Sequence, residues 1–257
     1  MECGRKRQCT GSDVSARAAT SGAAPVYDGR MHPAPRIEPR FARIAASIGD
    51  PTRARMLATL LGGDALPAGD IARIAGVNAS TASGHLAKLV HEGLVAVEPR
   101  GRHRYFRVAD ADVARALEAL ALVAERRASQ SKWLREPYHS LKHARTCYRH
   151  LAGELGVQLL RSLLARRRLL AAEHGYELTA AGRSWLESLG IDAAAAPRGD
   201  RYAFACLDWS ERRDHLAGRL ATTLLDHFMA KRWLVRVEGT RALRLTAEGK
   251  RALPGIL

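Results

Sequence analysis

Cysteines, aromatic residues and long apolar runs are all scarce in this chain of 257 residues. It has four cysteines, and aromatic side chains make up 5% of the sequence. Cysteines so few and so far apart exclude the dense disulfide framework of a small secreted protein. No run of eighteen apolar residues occurs, which excludes a membrane-spanning helix, and the N-terminus lacks the apolar segment of a secretory signal. These absences predict a cytoplasmic protein with reduced thiols.

Acidic residues are outnumbered by basic ones. Lys and Arg total 41 against 26 Asp and Glu, so the net charge is +15 and the isoelectric point is near 10.5. Such an excess favours a polyanionic partner, most simply nucleic acid. The alternative is a compositional bias towards Ala and Arg throughout the source genome. With 47% apolar residues, the chain is able to bury a substantial core.

The first 35 residues are rich in Ser, Ala, Gly and Pro and show no apolar periodicity. Residues 1–35 are therefore predicted to be a disordered extension. A basic arm that touches nucleic acid is the alternative interpretation of this segment.

Residues 36–128 carry the signals of a compact helical domain with one hairpin. Asp50 and Pro51 open a helix as its cap and first residue, and Gly76 and Gly93 end later helices. Alternation in "LVAVE" and "RYFRV" around "PRGR" predicts two strands of a hairpin. The order helix, helix, tight turn, helix, hairpin, helix is typical of a winged helix-turn-helix domain.

Two stretches, "IAASIGDPTRARMLATL" and "DIARIAGVNASTASGHLAKLVHEGLVAVEPRGRHRYFRV", resemble the ArsR/SmtB family of bacterial repressors. The resemblance is carried by the Asp-Pro-Thr-Arg helix start, the Ser-Gly-His-Leu of the helix before the hairpin and the Gly-Arg-His-Arg-Tyr of the hairpin. It covers roughly residues 37–128. It implies a winged-helix fold, binding to double-stranded DNA, and a homodimer formed by the first and last helices of the domain.

A recognition helix enters the major groove by its N-terminal end, where small polar side chains allow close approach. Cationic residues at the hairpin tip, or wing, would hold the phosphate backbone. His85 has an alternative role, packing against the wing. The predicted DNA contacts are Ser80, Thr81, Ser83, Gly84, His85, Lys88, Arg100, Arg102, His103 and Arg104.

The last helix of this domain has more apolar surface than a peripheral helix of a small domain needs. Val113, Leu117, Leu120 and either Val123 or Ala124 recur at helical spacing. This pattern agrees with the dimer that the resemblance implies.

The metal sites familiar in the ArsR/SmtB family are missing. The stretch "LPAGDIARIAGV" has no cysteine, and the last helix has Asp110 and Asp112 nearby but no histidine. A sensor, if present, must therefore lie outside residues 36–128.

The C-terminal half contains an internal repeat. "HLAGELGVQLLRSLLARRRL" matches "HLAGRLATTLLDHFMAKRWL" at an offset of 65, with ten of twenty positions identical, and each copy is followed by "LTxxG". Residues 129–257 are thus predicted to be a duplicated effector or interaction module, with repeats at about 143–191 and 206–257. Each copy is predicted to be a long helix starting near the histidine, followed by a wing-like segment and a short helix. The predicted fold is mainly α with small β-hairpin wings.

Cysteines precede both repeated histidines, which gives a candidate ligand set of Cys147, His150, Cys206 and His215. Two thiolates and two imidazoles suit a zinc-class ion, with Cys147 and His150 on one helical turn and Asp208 as an alternative oxygen ligand. Two other interpretations stay open: histidines and cysteines that only pack or cap, and thiol redox sensing by the cysteines.

Together these patterns predict a nucleoid-associated DNA-binding regulator, an operator-binding repressor released by a signal sensed in the C-terminal module. One alternative is a sequence-tolerant architectural DNA binder without an effector. Another is a thiol enzyme in the C-terminal half, but no phosphate-binding loop or hydrolase motif supports catalysis, so a non-enzymatic protein is predicted.

Overall fold

The computed structural model describes residues 39–128, 135–192 and 202–257. The predicted disordered extension and part of the segment between the two repeats lie outside the described residues. The elements of the first described range, in chain order, are α1 (Pro39–Ile48), α2 (Pro51–Leu60), β1 (Leu66–Pro67), α3 (Ala68–Ala75), α4 (Ala79–His91), β2 (Val95–Arg100), β3 (His103–Val108) and α5 (Ala111–Ala128). This is the predicted winged helix-turn-helix order.

Local side-chain and backbone signals fix these boundaries. The Asp50 carboxylate accepts hydrogen bonds from the backbone N–H groups of Thr52 and Arg53, at 3.0 and 2.8 Å, and so caps α2. Gly76 ends α3 in the left-handed conformation, and the Asn78 side chain caps α4 two residues later. The short turn between these caps sets α4 against α3.

The wing is a small antiparallel sheet. Strand β2 pairs with β3 up to Arg100 and His103, which leaves a two-residue turn. Strand β1 pairs with the other edge of β3, so the sheet has three strands in the order β1-β3-β2. Strand β1 was not predicted from the sequence, because two residues are too few to show a strand period. Behind the sheet lies a core that includes Met56, Leu57, Leu60, Ile71, Leu86, Leu89 and Phe106.

The second half alternates hairpins and helices. Its elements before the undescribed gap are α6 (Arg135–His143), β4 (Arg145–Cys147), β5 (His150–Ala152), α7 (Glu154–Ala165), β6 (Leu169–Ala172), β7 (Gly175–Leu178) and α8 (Ala180–Ser188). After the gap come β8 (Phe204–Leu207), β9 (Asp214–Ala217), α9 (Arg219–Ala230), β10 (Leu234–Arg236), β11 (Leu243–Leu245) and α10 (Ala247–Ala252). The order hairpin, helix, hairpin, helix occurs twice.

The predicted helix start near each histidine is wrong. His150 and His215 lie on strands, and the helices begin only after Gly153 and Gly218. Both glycines have positive φ, +81° and +93°, which side chains rarely adopt. The helix was predicted to start too early because Leu151, on β5, has the same four-residue spacing as the leucines of α7. The fold is accordingly mixed helix and sheet instead of mainly α.

The repeated "LTxxG" is a helix-capping motif. Thr179 accepts a hydrogen bond from the N–H of Gly182, and Thr246 does the same for Gly249. A Cβ on Gly182 would lie 2.2 Å from the carbonyl oxygen of Arg168, so the capped helix approaches the preceding chain too closely for a side chain. A short helix is present at both motifs, as the sequence predicts.

A second core fills the C-terminal half. Leucines from both repeats lie in one buried cluster, and they include Leu151, Leu155, Leu159, Leu216, Leu220 and Leu224. Pro39–Leu257 form one compact unit. The predicted domain boundary near residue 128 stays a prediction.

Candidate nucleic-acid interface and cysteine–histidine cluster

Helix α4 divides into a buried and an open face. Ala82, Leu86 and Leu89 are buried against α2 and α3. The predicted contact residues on the opposite side are mostly exposed, and they are Ser80, Thr81, Ser83, Gly84 and Lys88. A Cβ added to Gly84 would meet nothing within 4 Å, so no contact within the protein requires glycine there. The open face is therefore shaped for close approach by another molecule.

His85 is the exception among the predicted α4 contacts. Its ring is half-buried, with Nδ1 3.3 Å from Arg53 Nη1 and 3.8 Å from Asp50 Oδ1. Arg53 in turn donates to the carbonyl oxygens of Ser47 and Ala46 at 2.7 and 3.0 Å. The ring thus braces α4 against the start of α2 through these polar contacts.

Positive charge is concentrated at the wing tip. Arg102, His103 and Arg104 are exposed. Arg100 donates to Glu98 at 3.0 Å, and its guanidinium lies 4.8 Å from the centre of the Tyr105 ring. All four predicted wing residues are therefore exposed, and the charge of one of them, Arg100, is partly neutralised within the hairpin.

The apolar residues of α5 serve two purposes. Leu117 is buried in the winged-helix core, and Val113 packs against that core. Leu120 and Val123 are 48% and 55% exposed, and Phe41 of α1 is 65% exposed. Only part of the predicted apolar stripe is therefore open, and the first helix adds an exposed aromatic ring.

The two hairpins that carry the repeated histidines bring both cysteines and both histidines together. Cys147 pairs with His150 across β4 and β5, and Cys206 pairs with His215 across β8 and β9. The Nε2 atoms of the two histidines are 3.0 Å apart. One donor atom from each of the four residues lies within 4.8 Å of all the others. The four residues of the two repeats are thus brought together by paired strands. The prediction that Cys147 and His150 share one helical turn is wrong.

A network of buried charges lies behind this cluster. Asp208 Oδ2 is 3.1 Å from His215 Nδ1 and accepts the N–H of Gly153 at 2.7 Å. Asp208 Oδ1 is 2.9 Å from Arg145 Nη2. The prediction that Asp208 could replace Cys206 as a ligand is wrong, because the Asp208 carboxylate lies on the side of the His215 ring that faces away from the cluster.

The same network reaches the DNA-binding half. Glu118 of α5 is buried, and its Oε2 lies 4.0 Å from Arg145 Nη2. Its other carboxylate oxygen forms an ion pair with Arg241. Since Arg145 and Arg241 both belong to the C-terminal half, Glu118 ties α5 to that half by charge.

The environment separates the pKa values of the cluster. The hydrogen bond from Cys147, followed by those with the two histidines, lowers the pKa of the Cys206 thiol far below its usual range. The same bond and burial raise the pKa of Cys147 well above its usual value. Burial lowers the pKa of His150. Binding of a cation by both sulfurs would therefore release a proton from Cys147.

Burial also acts on the carboxylate–imidazole pair behind the cluster. It would lower the pKa of His215, but the bonds with Asp208 and Cys206 outweigh it and raise that pKa. It would raise the pKa of Asp208, but the bond from His215 and the charge of Arg145 instead lower that pKa well below its usual range. Asp208 is accordingly ionised and holds Nδ1 of His215, so Nε2 faces the cluster.

A cavity of about 170 Å³ gives access to the cluster. Cys147, His150 and Cys206 form part of its wall, and Ala111, Ala114 and Arg115 of α5 form another part. The cluster is thus reached between the two halves of the described chain.

Comparison with known proteins gives matches over both halves. A family model described as "Helix-turn-helix domain" matches residues 48–98. The chain is 41% identical over 216 residues to the Bacillus subtilis protein named "uncharacterized HTH-type transcriptional regulator YdfF", a match that covers 83% of this chain and 95% of that protein. It is 40% identical over 86 residues to the Mycobacterium tuberculosis HTH-type transcriptional regulator CmtR, over 34% of this chain and 72% of that protein.

The chain is an HTH-type transcriptional regulator of the ArsR/SmtB type. The long match to the B. subtilis protein decides that the chain is an HTH-type transcriptional regulator, because a match over 83% of this chain extends well beyond the winged helix. The regulator binds DNA, as its winged helix-turn-helix domain and its relatives establish. In the part of the chain that the structure describes, no helix combines the length and apolar character needed to cross a membrane.

Two solved structures are similar to the winged-helix part of the regulator. One is the NMR structure of the cadmium metal-sensor CMTR from M. tuberculosis, 40% identical over 32% of this chain and 85% of that chain, with a TM-score of 0.29. The other is the homodimeric winged helix-turn-helix DNA-binding domain of Mb0332 from Mycobacterium bovis, 30% identical over 36% and 85%, with a TM-score of 0.34.

Sequence reasoning missed three residues that surround the cluster: Arg145, Asp208 as an outer partner, and Glu118. Glu118 carried a weak signal, since a carboxylate stands beside Leu117 on the apolar face of a helix. Arg145 gave none, because one arginine among many in a basic chain does not stand out.

Proposed function

We propose that the regulator is a homodimeric repressor that binds its operator through α4 and the wing and is released by a signal sensed in the C-terminal half. The observation that carries the proposal is the exposed small-residue face of α4 beside the cationic wing tip. Such a pair fits one segment of duplex, with the helix in the major groove and the wing on the backbone. As a DNA-binding protein it would act at the nucleoid, in the cytoplasm.

The proposed contacts fall into two groups. Ser80, Thr81, Ser83 and Gly84 would approach base edges, since side chains of this size allow the helix to enter the groove. Lys88 and the wing residues Arg102, His103 and Arg104 would neutralise phosphates, with Arg100 contributing less because it is bonded to Glu98. His85 would act by bracing α4 and not by reading a base.

The proposed dimer uses α1 and α5. Exposed Phe41, Leu120 and Val123 supply apolar area that a second copy of the chain would bury. A two-fold dimer presents two recognition helices to a palindromic site, about one helical turn of DNA apart.

The C-terminal half is proposed to be a duplicated sensor. The repeated order of hairpins and helices and the matched pairs Cys147–His150 and Cys206–His215 support an origin by duplication. The place where the two copies meet is the cysteine–histidine cluster, which makes that cluster the candidate sensing site. We propose no catalytic role for it.

A footprint on the DNA upstream of the regulator's own gene tests the proposal. We expect protection of two half-sites and an affinity at least about 1,000-fold above that for a scrambled duplex of equal composition. Gly84→Gln should abolish the specific footprint, because the longer side chain occupies the space for the groove. Gly255→Gln is the matched control, since its Cβ also meets open space but lies at the far end of the chain.

Equal affinity for operator and scrambled DNA would contradict an operator-binding repressor and instead support an architectural DNA binder.

A further inference from the structure

We propose that the cluster of Cys147, His150, Cys206 and His215 binds one thiophilic divalent cation of the zinc class, and that a buried relay of Asp208, Arg145 and Glu118 couples its occupancy to α5. Binding of the cation stands on the cluster alone. Its effect on DNA rests on the proposed function.

The donor set matches the preference of such cations. Each hairpin supplies one sulfur and one imidazole nitrogen, and thiolate with imidazole selects zinc-class ions over magnesium or calcium. No carboxylate stands among the four donors, which further disfavours hard cations. In the sequence, Cys147 and Cys206 are also the only cysteines after Cys9, so the winged helix itself offers no thiolate.

The distances are near those of a tetrahedral site. Bonds of about 2.0–2.3 Å place neighbouring ligand atoms about 3.3–3.8 Å apart. The two Nε2 atoms are 3.0 Å apart, and no pair among the four donor atoms exceeds 4.8 Å. Shifts of about 1 Å within two short hairpins would complete the coordination.

Asp208 prepares one ligand for this role. A metal-bound histidine commonly gives its other ring N–H to a carboxylate, which fixes the tautomer and the ring orientation. His215 has a carboxylate in the required place, since Asp208 Oδ2 lies 3.1 Å from Nδ1 while Nε2 faces the cluster. Asp208 is held in place by the N–H groups of Gly153, Ser210 and Glu211. It is therefore a positioning residue for His215.

A cation must displace the contact between the two imidazoles. A distance of 3.0 Å between the two Nε2 atoms fits one ring N–H donating to the lone pair of the other ring, whereas the ion needs the lone pairs of both. Binding therefore breaks this contact and moves the imidazoles apart. His215 is paired with Asp208, so its displacement moves that carboxylate together with the Gly153, Ser210 and Glu211 backbone that binds it.

The displacement continues to α5 through alternating buried charges. Asp208 is 2.9 Å from Arg145, and Arg145 is 4.0 Å from Glu118 of α5. Arg145 is also fixed by the carbonyl of Leu141 and by the Trp209 ring, 4.4 Å away. Because buried charges tolerate little separation from their partners, a shift of Asp208 biases the position of α5. The proposed dimer surface lies on that helix, so the spacing of the two recognition helices would change.

Metal binding is tested in a Cys3→Ser, Cys9→Ser background, where Cys147 and Cys206 are the only thiols left. We expect one Zn²⁺ per chain in competition with a chromogenic chelator, and no displacement of Zn²⁺ by excess Mg²⁺. Cys206→Ser and His215→Ala should each weaken Zn²⁺ binding by more than about 100-fold. Co²⁺ should give sulfur-to-metal charge transfer bands and the visible absorption of a tetrahedral site, a readout that needs no variant of the cluster.

Coupling is tested by the affinity for the footprinted operator with and without Zn²⁺. We expect Zn²⁺ to weaken operator binding by about 5- to 150-fold, the usual range of allosteric coupling. Glu118→Gln should keep Zn²⁺ binding and lose this effect. Asp112→Asn, on the same helix but paired with nearby Arg115, is the control and should keep both. If Glu118→Gln does not fold, the shift of Arg145 is measured instead by the fluorescence of Trp209 in the wild type. Zn²⁺ should change this fluorescence, and the change should be absent in Trp209→Phe.

The outcomes separate the claims. Zn²⁺ bound equally by Cys206→Ser, or Co²⁺ spectra without sulfur bands, would overturn the site. A bound ion that leaves operator affinity unchanged in the folded wild type would overturn the coupling. Failure of the metal-free protein to bind any operator would instead overturn the proposed repressor function and leave the metal site standing.

Discussion

The effect of replacing a residue in the regulator depends on what surrounds it. Two helical glycines show this, because one is tightly packed and the other faces open space. Gly182 on α8 has a carbonyl oxygen 2.2 Å from where its Cβ would be, whereas Gly84 on α4 has open space. Gly182→Ala should therefore destabilise the protein by about 1–3 kcal/mol through overpacking. Gly84→Ala should stabilise it by about 0.5–1 kcal/mol, because alanine loses less entropy in a helix.

Urea denaturation of the two variants measures both effects. If Gly84→Ala were less stable than the wild type, Gly84 would not lie in open space. If Gly182→Ala had unchanged stability, the close approach to Arg168 would be contradicted.

The different surroundings of Ser83 and His85 predict different effects on DNA. Ser83→Ala should cost about 1–3 kcal/mol on the operator and little on random DNA, since it removes the proposed base contact. His85→Ala should weaken both duplexes alike, because the ring contacts Arg53 and Asp50 within the protein. Parallel titrations with operator and random duplexes distinguish the two, and a purely operator-specific loss for His85→Ala would show that it reads a base.

At the scale of residues, the sequence was informative where a residue type has one main use. The cap Asp50 and the exposed serines of α4 were predictable for that reason. The partners of His85 and Arg145 were not, because burial and tertiary distance decide them and neither leaves a local pattern.

Among the elements, the wing has the simplest test. Replacing Arg102 and Arg104 by alanine removes two exposed charges from its tip. The slope of log affinity against log salt should flatten by roughly one unit for each phosphate that the wing no longer neutralises. Measurements over a range of salt concentrations on operator and random DNA should show the same change, and an unaltered slope would mean that the wing does not touch phosphate.

The exposed face of α5 predicts self-association. Leu120→Glu should weaken the dimer by about tenfold or more, since a cost of about 1.4 kcal/mol already gives that factor. Leu170→Glu on β6 is the matched control, because Leu170 is 51% exposed against 48% for Leu120 but lies in the other half. Sedimentation at several protein concentrations measures both, and equal self-association of the two variants would place the dimer surface elsewhere.

Prediction of elements succeeded where caps and period agreed, as in α2, α4 and the β2–β3 hairpin. It failed at residues 145–152, where Tyr148 adopts a positive φ of 59° in a two-residue turn. Nothing local marks a tyrosine for that conformation. The repeat alignment still indicated that the two histidine segments were equivalent. The four candidate ligands were therefore correctly grouped, although their segments were predicted as helices and are strands.

For the molecule as a whole, the central claim is that the cysteine–histidine cluster and the DNA-binding surface are energetically linked. Thermodynamic linkage requires any such coupling to be reciprocal. If Zn²⁺ weakens operator binding, bound operator must weaken Zn²⁺ binding by the same factor. The measurement is therefore the Zn²⁺ dissociation constant of the regulator, determined with and without saturating operator DNA. We predict a constant larger by about 5- to 150-fold on the operator than off it. Equal Zn²⁺ affinity in the two states would contradict this linkage.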